Sequence, residues 1–419
     1  MNRSDNVFGW PDVAVAGNDG PITREDCGAA GVAPGACGMY AAIGQVSLRA
    51  ALEAAKTMQE RGTFGAGVLL QGIYPKRKNL YAFHVLYRNR EIAKQLEPNF
   101  TEDKGMRHFG EMEPLVTPEA YRKYVLPEMR RYFLSPPTVD EMLRRKHTSV
   151  EGTYVRRLVE DFNKKYMGDA RIFSSGKNVG TFLTALTLED TMEIYDLAQY
   201  ESRPISALMI HMRWPTSIVS SGVWWGAHPI SFLNSSIIHN GDLSSAESNR
   251  QGLEAAGVER MIGTDSEAIL LELDELIMKR GFSYEQVEWV MCRKFPNELA
   301  AMNPDERQRY EKLVADAVLA RYKMSGPSSF VALVGQKLIA GRDRDGLRQL
   351  WMGRSEDGMT IIWGSEEKVI YQSAWVMEKT FRASNCEPGK ITAFELNEKG
   401  DPQEAFGETL GPQTGVLPV

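Results

Sequence analysis

The chain has 419 residues, 43 % of them apolar, enough to bury a substantial core in one large domain or two ordinary ones. A formal net charge of -6 and a pI near 5.7 argue against a surface for nucleic acid or anionic membrane, which would need a clustered basic excess. No stretch approaches the roughly 18–20 consecutive apolar residues of a membrane span, and no apolar signal-like run opens the chain, so a cytoplasmic protein is expected.

Residues 1–36 are rich in Gly, Pro, Asp and Asn, carry five acids against two arginines, and read as a flexible leader. Regular patterning begins at Cys37 with the strand "MYAAI". Ser47 then serves as an N-cap, and Leu48, Ala51, Leu52, Ala55 and Met58 repeat at helical spacing until Gly62. Strands "GVLLQGIY" and "LYAFHVLY" follow. Residues 90–170 turn charged and proline-punctuated, which predicts a helical insertion rather than a second core. Core character returns at "RIFSSGKNVG" and continues through the strands "ISALMIHMRW" and "SSIIHNGDL". A helix starts at Asp265 and ends at Gly281, and another is capped by Asn303 with Pro304 at its first position. The strands "SFVALVG", "KLIAG", "MTIIWG" and "ITAFEL" come next, and residues 401–419 read as a flexible tail. Helices and strands fall in runs rather than strict alternation, which predicts packed antiparallel sheets with helices outside.

The four cysteines, Cys27, Cys37, Cys292 and Cys386, have no metal-ligand spacing. His211, His228 and His239 fall within 29 residues but form no helical i, i+4 pair, so no metal site is read from them. "CGAAGVAPGACGMY" offers two Cys-Gly pairs. A buried Cys beside Gly is usually a small core residue, but a cut before Cys37 would put a thiol and a free α-amine on one residue. Such an amine, with a pKa near ~8, can act as base for its own side chain, whereas a peptide nitrogen cannot. In "HMRWPT" the Arg213 guanidinium suits a carboxylate, or else makes a structural ion pair. "HNG" is either a hairpin turn or a pair of donors, the Asn240 amide and the Gly241 N–H, aimed at a developing oxyanion. Asp265, in "TDSE", either caps its helix or holds a substrate ammonium. The loop "SIVSSGVWWGAHP", with Gly222 and Gly226 around its tryptophans, is either a lid or packing for a sheet edge.

The joint order is more specific than any part. A Cys-Gly strand, Arg-Gly 24 residues later, Arg-Trp-x-Thr, His-Asn-Gly and Thr-Asp-Ser-Glu opening a helix resembles the class II glutamine amidotransferases, whose glutaminase domain has an N-terminal nucleophile. The details "GIYP", "YAFHVLY", "SSGKNVG", "WWGAHP" and "HNGDLSS" are most similar to the stand-alone or archaeal-type glutamate synthase glutaminase unit. This resemblance implies an α+β fold, a four-layer αββα Ntn-hydrolase sandwich of two antiparallel sheets, spanning residues 37–400. It also implies that Cys37 is the nucleophile, that Arg61 and Gly62 support its strand, and that Asn240 and Gly241 form the oxyanion hole. Arg213, Trp214, Thr216 and Asp265 would bind free glutamine. The spacing to Arg61 favours Cys37 over Cys27. The sequence departs from the class at Glu60, where His often precedes Arg-Gly, and at Ser217, where His or Asn often follows the Thr. The implied activity is glutamine hydrolysis that supplies ammonia to a glutamate synthase-type partner subunit. FMN and iron–sulfur clusters would sit on that partner, since this chain has no iron–sulfur cysteine run and no phosphate-binding glycine loop. Alternatives are another ammonia acceptor, such as N-methylglutamate, phosphoribosyl or sugar phosphate synthesis, or a non-catalytic glutamine-sensing subunit.

Overall fold

The computed structural model describes residues 37–62, 65–102, 106–109, 113–213 and 228–405. The leader, Cys27, Trp214, Thr216, most of the lid loop and residues 406–419 lie outside these.

The strands in chain order are β1 (Gly38–Gly44), β2 (Ala66–Gln71), β3 (Tyr81–Tyr87), β4 (Glu113–Pro114), β5 (Glu128–Leu134), β6 (Ala170–Ser174), β7 (Val179–Thr184), β8 (Ala207–Met212), β9 (Ile230–Phe232), β10 (Ser235–Gly241), β11 (Ser328–Val334), β12 (Lys337–Arg342), β13 (Trp351–Ser355), β14 (Thr360–Gly364), β15 (Phe381–Asn385), β16 (Ile391–Leu396) and β17 (Pro402–Glu404). They form three sheets, ordered β15-β13-β14-β1-β8-β2-β7, β17-β16-β12-β11-β10-β9 and β4-β5-β3-β6. Strand pairing is antiparallel throughout.

Alternation along each strand builds the layers. In β1, Met39, Ala41 and Ile43 point into one cluster with Met209, Ile238, Val331, Leu333 and Trp363, which glues the first two sheets face to face. Tyr40 and Ala42 point the other way, under helices α1 (Leu48–Lys56) and α6 (Lys368–Met377). On the second sheet, Ile237, Phe330 and Ala332 pack outward against α3 (Ala246–Ala255), α4 (Asp265–Leu273) and α5 (Tyr284–Met291). Both faces of the central strands are therefore covered, which is why they read as unbroken apolar runs. The expected αββα sandwich is the observed one. Ser47 caps α1 as expected, its hydroxyl accepting from Ala50 N at 3.2 Å.

Two boundaries need correction. The segment 90–170 is only partly helical: it contributes β4 and β5 to the third sheet and packs α2 (Glu151–Lys165) over it. Phe83, Phe100, Tyr132, Tyr154 and Phe162 give this layer a core of its own. The charge that suggested plain helices comes partly from β5, where Arg130 and Arg131 are buried with polar partners. The tail boundary at 400 is also early, because Pro402–Glu404 extends the second sheet and Ala405 N donates to Ala393 O at 2.8 Å. That three-residue edge strand has no apolar alternation to announce it.

Candidate active site

The site forms at one end of the sandwich. In the antiparallel pair β1–β8, Gly38 faces Met212 and Met39 faces His211. One step outward the same register brings Cys37 opposite Arg213. Alternation sets Cys37 on the inner face with Met39, and Arg213 there with His211. Arg213 is 5 % exposed, and its backbone N–H donates to Gly65 O at 2.8 Å, extending the pairing with β2. Burial lowers the guanidinium from its ordinary value, while the adjacent Cys37 side chain pulls in the opposite direction.

Arg61 and Gly62 sit where a brace is needed. Arg61 Nε donates to the Cys37 carbonyl at 3.2 Å, and its guanidinium pairs with Glu366. A Cβ on Gly62 would lie 2.4 Å from the Met212 carbonyl, so only glycine lets this turn press against the end of β8. Ser365 completes the brace: its hydroxyl accepts from Met39 N at 2.9 Å and its N–H donates to Met39 O at 3.1 Å.

The facing sheet brings Asn240 and Gly241. They lie at the end of β10, paired with Ser329 and Ser328, and are not the central residues of a hairpin. Asn240 is 2 % exposed and shares the inner face with Ile238. Gly241 has φ of +124°, and a Cβ there would lie 1.8 Å from Pro327 O, so no other residue fits.

His239, just before Asn240, points outward. Its Nδ1 meets Ser266 Oγ at 3.0 Å and its Nε2 meets Ser328 Oγ at 2.9 Å. Asp265 opens α4 behind it, 3.9 Å from His239 Nδ1. The Asp265 carboxylate accepts from Leu243 N at 3.0 Å and Ser266 N at 2.8 Å. Ser266 Oγ also approaches Oδ1 at 3.4 Å, so Asp265 holds the turn after Gly241 on α4 while Oδ2, with a single donor, keeps a lone pair for a cation.

The scattered histidines converge as well. His211 Nε2 donates to the His239 carbonyl at 3.1 Å, a direct stitch between the two sheets, and the His228 ring centroid lies 4.3 Å from that of His211. A Cβ on Gly67 would lie 2.0 Å from His228 O, so glycine there makes room for this approach. Among the described residues no group of three or more His, Cys, Asp or Glu is placed to hold a metal ion.

No family model matches the chain. It is 29 % identical over 369 residues to an uncharacterized protein of Archaeoglobus fulgidus, covering 86 % of this chain and 93 % of that one. Among solved structures it is similar to the glutamine phosphoribosylpyrophosphate amidotransferase from B. subtilis complexed with ADP and GMP, at 13 % identity and a TM-score of 0.39. An allosteric regulatory enzyme of purine biosynthesis matches at 13 % identity and a TM-score of 0.42. Both matches cover 89 % of this chain, which spans only 50 % of each of theirs. A glutamine aminotransferase class-II domain protein from Silicibacter pomeroyi matches at 16 % identity and a TM-score of 0.30, over 54 % of this chain and 84 % of that one.

The structure thus gathers Cys37, Arg61, Gly62, Arg213, Asn240 and Gly241 at one end of the two sheets, with Asp265 one layer behind. Ser365, Glu366, His211 and His239 join them without having been expected there. Glu366 lies 305 residues from Arg61, and no local pattern marks it.

Proposed function

We propose that this chain is a glutaminase of the class II amidotransferase type, acting once the Ala36–Cys37 bond has been cut. The observation that carries the reading is Cys37 and Arg213 side by side on the inner face of β1 and β8, with Asn240 and Gly241 facing them from β10. Arg213 would take the α-carboxylate of free glutamine as a charge-assisted pair, and Asp265 its ammonium. The amide carbon then lies over the thiol. The freed α-amine of Cys37 accepts the thiol proton, the sulfur–carbon bond forms, and the oxyanion is held by the Asn240 amide and the Gly241 N–H. The same amine returns the proton to the leaving nitrogen, and ammonia departs. Water, deprotonated by the amine, releases glutamate from the thioester. Supply of that ammonia to a glutamate synthase-type partner bearing FMN and iron–sulfur clusters is the finer reading, supported by the motif resemblance.

The test is intact mass before and after an electrophilic glutamine analogue, followed by peptide mapping. A chain beginning at Cys37 and labelled there once supports the reading. A chain still beginning at Met1 and unlabelled in the presence of its partner leaves the glutamine-sensing subunit as the better account.

A further inference from the structure

Behind the turn that carries Asn240 and Gly241, α3 and α4 enclose a carboxyl group that the proposed chemistry does not use. Glu272, near the end of α4, is 0 % exposed, and neither of its oxygens has a hydrogen-bond partner. Asn249 on α3 is also 0 % exposed, with Oδ1 unpartnered. Its orientation is set from the other side, because Nδ2 donates to Lys323 O at 2.7 Å. The Asn249 side chain and the Tyr322 hydroxyl, itself unpartnered, are the polar neighbours of Glu272, so four unpaired oxygens are shut in together with only the hydroxyl proton among them. An ionised carboxylate in such a place would cost several kcal/mol, on the order estimated for any unpaired buried charge. One proton on Glu272 supplies a second donor, the one that can meet Asn249 Oδ1.

We propose that the folded chain keeps Glu272 protonated, and that the acid's hydrogen bond to Asn249 latches α4 to α3 beneath the Asn240–Leu243 turn. The latch bears on the site from both ends. Asp265, on the first turn of α4, holds Leu243 N. On the α3 side, Asn249 shares the Lys323 carbonyl with Ser245, whose hydroxyl donates to it at 2.7 Å. The turn is stitched to the same segment by Ser244 N to Ser325 O at 2.9 Å and Asp242 N to Pro327 O at 2.9 Å. Glu272 is therefore a positioning residue, and this part of the inference rests on the glutaminase reading.

The surroundings favour the neutral acid. From α3 the group facing it is Asn249, and from the segment after Leu319–Arg321 it is Tyr322, which packs on Gly252. The π-helical turn Asp274–Lys279 presents Glu275, itself paired with Lys279 and Arg280. From β10 the titratable group is His239, engaged with Ser266 at the opposite end of α4. No cation among the described residues opposes the burial that pushes the Glu272 carboxyl well above the usual range.

The test compares the full chain with Glu272→Gln, which keeps a donor toward Asn249 without a titrating proton, and with Glu272→Met. Above the ordinary carboxyl range the folded wild type binds one proton more than the unfolded chain. Its stability is therefore fully present at low pH and is lost as pH rises toward the raised folded value. The folding constant should fall about tenfold per pH unit relative to either variant, read from denaturant midpoints. Parallel pH dependences would overturn the proposal, and if one variant does not fold the other gives the comparison. In infrared difference spectra at about pH 8, far above an ordinary carboxyl pKa, the wild type should show a neutral carboxylic acid carbonyl that the variant lacks. Its absence would also overturn the idea. Neither readout needs glutamine turnover, so the latch and the glutaminase reading fail separately. The alkaline limb of kcat should move outward in Glu272→Gln, and superimposed profiles would show that the latch does not reach the site.

Discussion

The two ends of the layer between the sheets use the same strands and do opposite things. At one end Ile43, Ala207, Leu333 and Leu338 close it with hydrocarbon. At the other, four to six residues along, the ends of β1 and β8 present Cys37, His211 and Arg213, and β10 presents Asn240. The apolar end stabilises by area alone, each fully buried side chain contributing about 1.5–3 kcal/mol. The polar end carries buried nitrogens and a buried guanidinium, which cost stability unless partnered. Strands of a sandwich can thus be anchored at one end and spent on chemistry at the other.

Substitutions should separate the two ends. The largest effect is expected for Cys37→Ser in the processed chain: glutamine hydrolysis should fall to background with the unfolding midpoint unchanged, since the residue lies ahead of the first strand pair. Trp363→Ala, in the apolar layer, should do the reverse and remove about 3–5 kcal/mol of stability. The kcat of the protein that remains folded should stay near wild type, and a proportional loss of kcat would mean that the ends are not independent. Arg213→Lys keeps the charge but loses the planar fork, so kcat/KM should drop about ten- to hundredfold, mainly through KM. The last test is a pH dependence of the polar end. Burial lowers His211 to about 3, and the same holds for His84 in the third layer. Both are neutral when folded and would charge on unfolding below about pH 6.5. Stability should therefore fall as pH drops from there toward 3, by up to about tenfold in folding constant per unit for each histidine. His211→Gln, whose amide nitrogen lies near the position of Nε2 and can still donate to the His239 carbonyl, should remove one histidine's share. An unchanged slope in that variant would place the acid sensitivity elsewhere.

Much of this organisation was legible in the sequence. Strands such as Gly38–Gly44 and Ser328–Val334 announce themselves as apolar runs, and the caps Ser47 and Asn303 start their helices where expected. The motif order named Arg61, Gly62, Arg213, Asn240 and Gly241, which lie with Cys37 at one end of the two sheets. Long-range partners were not legible. Glu366 and Ser365 follow an ordinary strand, and only tertiary pairing with Arg61 and Met39 gives them a role. No helix was expected between "MTIIWG" and "ITAFEL", yet Lys368–Met377 forms one whose exposed face keeps Tyr371 and Trp375, so its apolar residues do not mark a single buried stripe. His211, His228 and His239 stood out only by their closeness in the chain; their actual meeting depends on sheet stacking and on the space left at Gly67, neither of which has a local signature.

The grip on the start of β1 has a consequence for maturation. Arg61 takes the carbonyl of Cys37, Ser365 takes Met39, and the strand register begins at Gly38. Each of these fasteners lies downstream of the Ala36–Cys37 peptide bond. A cut at that bond would leave all of them closed, so the new chain terminus would be born already moored, and maturation would be a change of chemistry at one nitrogen without a rearrangement of the strand that bears it.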